Sequence, residues 1–279
     1  MVGTNSVVAP AAAIDDLVLA LRIARQAGRV AAEAFDAPVR TVRCKDDGSE
    51  VTATDLAVED MLRAQLFEHF PGDGVIGEER PALVGSSRRR WVIDPISGTT
   101  DFVHRVPLFS VDLAMEDAHG PAIAVSDLPA SRLTMAAGRN LGCWVLAHHE
   151  QDLAAVARTR VSDRDDLRGA VVCGHGLRAW STELIMAVHQ RCALRDGVHS
   201  VLRLITGRAD AVLVSGAVLG YEDLACLPVL VEQAGGRVSD LSGQPVLTGD
   251  GTVLASNGIL HDAFLDLLAD IRPLGPQRA

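Results

Sequence analysis

Hydrophobic and polar positions recur along the chain with two different periods, and the switches between them mark out its elements. Ile14, Leu17, Val18, Leu21, Ala24 and Val30 fall at helical spacing, which predicts an amphipathic helix over 14–35. A polar, turn-rich stretch, KDDGSEVTATD at 45–55, leads into a second helix. Thr54 or Asp55 is its expected cap, and Val58, Met61, Leu62 and Leu66 are its expected buried stripe. PGDG at 71–74 predicts a turn, followed by the short apolar step VIG into Glu78 and Glu79. The run WVI at 91–93 reads as a buried strand, and further strands are expected at 109–115, 122–125, 134–137 and 143–145. The first half therefore reads as helices followed by a mostly antiparallel sheet.

The charged segment at 148–168 is the expected boundary, dividing the chain into an N-terminal α+β subdomain over 1–150 and a C-terminal α/β subdomain over 151–279. Beyond it, strands at 170–173, 211–214 and 253–255 alternate with helical stretches at 181–192, 200–207, 224–234 and 259–270. Pro228 sits deep inside the third of these stretches, where a proline removes a backbone bond and kinks the helix.

Composition narrows the classes. A chain of 279 residues with 48% hydrophobic and 22% charged positions can bury a full core as one large domain or two modest ones. The net charge of -10 opposes a nucleic-acid role, which needs clustered Lys and Arg. Cys44, Cys143, Cys173, Cys192 and Cys226 are scattered without a CxxC pair, so neither a zinc cluster nor a disulfide framework is expected. No basic segment precedes the first apolar stretch, and no uncharged apolar run reaches the ~18 residues of a membrane span. The expectation is a soluble, cytoplasmic protein that meets neither nucleic acid nor membrane.

Three acidic segments carry the candidate chemistry: GEE at 77–79, DPISGTTDF at 94–102 and YEDLACLPVLVEQAGG at 221–236. Asp94 is expected to end an apolar strand, where its carboxylate would enter a cleft. The turn after it exposes successive backbone N–H groups that cradle an anion if a helix follows; alternatively, it needs Pro95 and Gly98 only for their dihedral angles. Asp223 opens an apolar helix stopped by Gly235 and Gly236, as an ordinary cap or as a functional acid. Arg88, Arg89 and Arg90 read as a solvated turn or as a patch that steers anions. His104 and the pair His148 and His149 read as surface residues. GHG at 174–176 is not a dinucleotide fingerprint, and there is no P-loop.

Taken in order, GEE, Asp-Pro-Ile-x-Gly-Thr, an Asp opening a helix that ends in Ala-Gly-Gly, and the segment at 45–55 resemble the inositol monophosphatase family. The stretch 195–213 is also similar to the family's approach to its last strand, so the resemblance runs from about Ile14 to Leu267. It implies a layered α-β-α-β-α sandwich, of the type shared with fructose-bisphosphatase, and Mg²⁺-dependent hydrolysis of a small phosphomonoester by a cation-activated water. Two or three Mg²⁺ per site are implied, with Mn²⁺ as a substitute, and a homodimer is the implied assembly. Carried onto these positions, Glu78, Asp94, the Ile96 carbonyl and Asp223 hold cations, and Glu78 and Thr99 orient the attacking water. The backbone N–H groups of Gly98 and Thr99 bind phosphate, and Asp55 and Glu79 support the site from behind. Arg195, His199, Ser200 and Glu222 lie where the family faces its substrate.

The chain departs from the pattern at Ser97, where the family carries a cation-binding aspartate; Ser97 keeps an oxygen but no charge, so weaker cation binding is expected. It also has Ser215 and Gly216 where inositol-specific enzymes place a glutamate, which disfavours inositol against sugar, histidinol-type or nucleotide-derived phosphates. The alternative to an active phosphatase is a divergent member that binds a ligand or performs another phosphate-related reaction, with Ser97 as its support.

Overall fold

A computed structural model describes residues 9–37, 42–45, 50–177, 180–215, 219–269 and 271. Helix α1 (Ile14–Asp36) and helix α2 (Ala53–His69) flank a hairpin of strands β1 (Val42–Cys44) and β2 (Glu50–Thr52). A six-stranded sheet follows, from β3 (Gly74–Gly77), β4 (Arg90–Ser97), β5 (Ser110–Asp117), β6 (Gly120–Leu128), β7 (Leu133–Gly138) and β8 (Gly142–Ala147), with the short helix α3 (Thr99–Val103) between β4 and β5. Its strands lie in sequence order; β3 runs parallel to β4 and every other pair is antiparallel.

The second sheet is built from β9 (Val171–His175), β10 (Ala193–Asp196), β11 (Ala211–Val214), β12 (Arg237–Ser239) and β13 (Val253–Ser256), ordered β10-β9-β11-β13-β12. Between these strands come α4 (Thr182–Arg191), α5 (Ser200–Ile205), α6 (Tyr221–Leu224) and α7 (Leu227–Gln233), and α8 (His261–Leu268) closes the described chain.

Side-chain alternation on the strands sets the layers. One face of the large sheet, with Trp91, Ile93, Val111, Leu113 and Val125, buries Leu17, Leu21, Val58 and Leu62 of α1 and α2. Its other face, with Val92, Ala114 and Ala124, meets Leu202 of α5 and Val229 and Leu230 of α7. Leu204 and Val231 on the far side of those helices pack on Val212 and Ala255 of the small sheet. The small sheet's outer face is covered by Leu184 and Val188 of α4 and Phe264 of α8. The result is α-β-α-β-α, the architecture that the resemblance implied. Among the described residues, no helix is long and apolar enough to cross a membrane.

Several local readings change. Pro228 does not kink a helix, because the expected stretch at 224–234 is two helices and Pro228 lies in the first turn of α7, where its missing N–H costs nothing. The cap of α2 is Thr52, whose hydroxyl accepts from the N–H groups of Thr54 and Asp55 while Asp55 reaches back to the Thr52 N–H. Asp94 does not end its strand; β4 continues to Ser97 through a break in register. Strands β3, β10 and β12 carry too few apolar residues for the alternation pattern to reveal them. Of the three arginines read as a solvated turn, Arg88 and Arg90 are exposed, but Arg89 pairs with Asp16 and Asp73, and Arg90 opens β4 and pairs with Glu116. All five cysteines are free, with Cys44 exposed and the other four buried.

Candidate active site

A cavity of about 270 Å³ is lined by residues of both sheets and of the helices between them. Ser97, Gly98 and Asp101 line it from the end of β4 and α3; Asp112 and Ser126 line it from the large sheet; His199, Ser200 and Asp223 line it from the C-terminal half. Ser97 and Asp223, 126 positions apart, therefore face one space.

The turn after β4 is set by Gly98, whose φ of +88° is left-handed and whose absent Cβ leaves room for the Leu108 carbonyl oxygen, only 2.9 Å from where a Cβ would stand. The turn delivers Thr99 to the start of α3. The Thr99 hydroxyl has two acceptors, the Ile96 carbonyl at 2.9 Å and Asp55 Oδ1 at 3.1 Å. Its single proton is directed at these two, and the oxygen's lone pairs remain for a donor from the cavity side. Burial holds the Asp55 carboxyl above its usual range, against the bonds from Thr52 and Thr99.

Glu78 and Glu79 follow β3, and both bind one ammonium: Lys45 Nζ lies 2.6 Å from Glu78 Oε1 and 2.6 Å from Glu79 Oε1. Burial works against the Lys45 charge, but the two carboxylates outweigh it and raise the lysine above its ordinary value. The loop itself is anchored from α2. Glu59, fully buried, accepts from the N–H groups of Glu79 at 2.7 Å and Arg80 at 3.1 Å, and from Arg63 Nε at 2.7 Å.

Asp94 is 2% exposed, and its Oδ1 has no hydrogen-bond partner. Burial first, then the neighbouring charges of Asp112, Glu78 and Asp223, hold its carboxyl well above the usual carboxylate range, opposed by a bond from Ser97. Asp223 is pushed up to about 6, chiefly by burial, although the Gly220 N–H donates to it at 2.7 Å. Asp112 likewise rises to about 6 through burial, against bonds from Ser126 and Ser110. The charges acting on Asp94 are thus those of Asp112, Glu78 and Asp223, and Glu78 and Asp112 also act on Asp223.

Among the described residues, no three His, Cys, Asp or Glu side chains already stand gathered as a cation cage. The donor chemistry nevertheless fits a hard divalent cation. Every donor is an oxygen, and two buried carboxylate oxygens, Asp94 Oδ1 and Asp112 Oδ1, have no partner in the protein.

The expected substrate-facing residues divide. Ser200 lines the cavity, as does His199, which holds a left-handed φ of 47° and exchanges a 3.1 Å hydrogen bond with Ser131. Arg195 is exposed on β10, where its guanidinium donates to the Leu194 carbonyl, and it lies outside the cavity lining, as does Glu222. Ser215 is fully buried with an unpartnered hydroxyl, whereas Gly216 lies outside the described residues. Three residues went unassigned in the sequence: Lys45, Glu59 and Asp112. Glu59 had a signal, since it shares a helix stripe with Asp55, Leu62 and Leu66, and an acid on a buried stripe needs a partner.

The chain matches the model of the inositol monophosphatase family over residues 15–272. It is 32% identical to a histidinol-phosphatase of Mycobacterium tuberculosis, over 91% of this chain and 98% of that one. It is 36% identical to a protein of Streptomyces griseus named glucose-1-phosphate thymidylyltransferase, over 92% of this chain and 97% of that one. Among solved structures, the extragenic suppressor protein suhB of Bartonella henselae superposes with a TM-score of 0.81 at 22% identity, covering 92% of this chain and all of the other, a likeness of fold. By the family model and these relatives together, the chain belongs to the inositol monophosphatase family.

Proposed function

We propose that this phosphoric monoester hydrolase works with a divalent cation, Mg²⁺ or in its place Mn²⁺, on a small phosphorylated substrate held in the cavity between the sheets. The observation that carries this reading is Asp94, a buried carboxylate with a free oxygen, in electrostatic contact with Glu78 and Asp223 from distant parts of the chain. A buried acid whose strongest charged neighbours are acids is costly unless a cation arrives. In this reading Glu78, Asp94, the Ile96 carbonyl and Asp223 hold the cations, with Asp55 and Glu79 behind them. When bound, such a cation neutralises phosphate charge and polarises the bonds at phosphorus.

The chain's own residues do the rest. The N–H groups of Gly98 and Thr99 bind the phosphate oxygens at the turn. Thr99 has committed its proton to Ile96 and Asp55, so its oxygen accepts from the attacking water and fixes that water's orientation. Glu78, once released from Lys45, accepts a hydrogen bond from the water's other O–H and helps to orient it. The N-terminal 150 residues contribute Glu78 and the turn, and the remainder contributes Asp223, so the reaction sits where the two halves meet.

Histidinol phosphate is the first substrate to try, because a relative bearing that enzyme name matches nearly end to end. Ser215 supplies no acid for a cyclitol, and His199 and Ser200 offer hydrogen bonds at the cavity wall. Arg195 and Glu222 reach a substrate only at the rim. Phosphate release should be followed over histidinol, sugar, inositol and nucleotide phosphates, with Mg²⁺ and with chelator. Release from one of these that requires Mg²⁺ supports the reading; silence on every substrate would leave a ligand-binding relative instead.

A further inference from the structure

The family pattern puts a carboxylate at position 97, and this chain has serine there. The fold places another carboxylate close by. Asp112 on β5 is the direct cross-strand partner of Asp94 on β4, and Ser97, after the break in register, pairs with Ser110. Directly opposed residues of an antiparallel pair lie about 4.5–5.5 Å apart at Cα and point to the same face. That face is the inner one, since Val92 and Ala114, two residues from Asp94 and Asp112, pack on α7. Both Ser97 and Asp112 line the cavity, together with Asp223.

Resting on the cation-dependent reading above, we infer that Asp112 takes the place of the missing carboxylate, so that Asp94, Asp112 and Asp223, whose side chains do not already stand gathered as a cage, close on a shared divalent cation. Three observations carry this. First, Asp94 is 2% exposed with Oδ1 unpartnered, on the strand position facing Asp112. Second, Asp112 has an unpartnered buried Oδ1 of its own, while Ser110 and Ser126 are close enough to hold its carboxylate in place. Third, among the described residues, the groups that act most on Asp94, Asp112 and Asp223 are acids, hydroxyls and one backbone N–H. The lysine that does enter the site is taken by Glu78 and Glu79.

An aspartate on a neighbouring strand in the middle of a sheet needs such an account. Cross-strand like charges destabilise an antiparallel pair, and the interior of a sheet is an expensive place for a carboxylate without a partner. A cation between the strands turns that repulsion into coordination. With serine at 97, the site then still has a third aspartate, in the middle of β5 instead of at the end of β4.

Direct titration with Mn²⁺ tests this without relying on turnover. The proteins are the wild type, Asp112→Asn, Ser97→Asp and the double variant Ser97→Asp/Asp112→Ser, each checked for unchanged far-ultraviolet circular dichroism. Asp112→Asn is expected to weaken Mn²⁺ binding by roughly 10- to 100-fold, the scale set by carboxylates that support metal sites. The double variant, which returns the carboxylate to position 97, is expected to recover most of that loss even if the single variant folds poorly. Mn²⁺ binding by Asp112→Asn equal to wild type, or a double variant as weak as a site with no replacement, overturns the relocation while leaving cation dependence standing. No Mn²⁺ binding by the wild type overturns both.

Discussion

Lys45 Nζ sits 2.6 Å from Glu78 Oε1, so a protein ammonium occupies the carboxylate that the proposed site would offer to a cation. The same ammonium lies 2.6 Å from Glu79 Oε1. Lys45 thus does two opposed jobs: it keeps two adjacent glutamates from repelling each other, and it competes for Glu78. Lys45→Met is expected to strengthen Mn²⁺ binding by roughly tenfold, because a hydrogen bond to a charged group is worth about 1.5 kcal/mol or more. Calorimetric titration measures it, and weaker binding by the variant would show that the ammonium assists the cation instead of excluding it.

Thr99 joins the turn to α2 through Asp55. Thr99→Val removes the hydroxyl that holds Ile96 and Asp55 and that is proposed to orient the water, so kcat should fall by roughly 100-fold, the low end for a positioned proton-handling group. KM should change little, since the backbone N–H groups remain. Thr99→Ser should retain most of the rate, and equal rates for Val and Thr would remove Thr99 from the chemistry.

Gly98 carries the conformation on which that placement depends. Gly98→Ala forces an L-residue to φ +88° and sets its Cβ 2.9 Å from the Leu108 carbonyl. The left-handed conformation alone costs about 1–2 kcal/mol, which lowers Tm by about 2–4 °C per kcal/mol in a chain of this size. Differential scanning calorimetry should find that loss, and phosphate-release assays a larger loss of turnover as the N–H groups proposed to bind phosphate move.

Away from the site, His261 is fully buried between Ser239 at 3.0 Å and Ser256 at 2.9 Å. Burial, with Arg237 nearby, pushes its imidazole down to about 4, whereas in the unfolded chain it titrates near 6.5. Between those values the unfolded state binds more protons than the folded one, so stability rises with pH. The contribution of neutral His261 is complete above about 6.5 and lost as pH falls towards 4. Urea unfolding from pH 7 to pH 4.5 should show this decline, and His261→Asn should flatten it; an unchanged slope would assign the decline to other groups.

Much of the fold was legible because the apolar periods are long. The stripe of α1 and the runs on β4 to β8 survive any local noise, and the alternation of strand and helix after residue 170 is equally plain. What escaped was set by contacts instead of pattern. Three-residue strands such as β12 are held by β13 alone, and nothing in Arg237, Val238 and Ser239 announces them. Pro228 read as a kink because the break at Ala225 and Cys226 carries no Gly or Pro, while the Pro that follows is the start of a new helix. At the site, motifs singled out Glu78, Asp94, Thr99 and Asp223, each beside a turn. Asp112 gave no such sign, since it lies inside an apolar strand and acquires meaning only from the residue across from it, Asp94. Lys45 was passed over for a related reason: its partners lie 33 and 34 positions along the chain, and only the fold brings them to it.

A crystal grown in Mn²⁺ and measured at the manganese absorption edge tests the central claim, that acids from both halves of the chain serve one cation cluster. The account predicts anomalous peaks bounded by Glu78, Asp94 and Asp223, with Asp112 at coordinating distance and Lys45 displaced from Glu78. Fully occupied manganese elsewhere on the protein, with the Lys45–Glu78 pair intact and no peak beside Asp94, would contradict it.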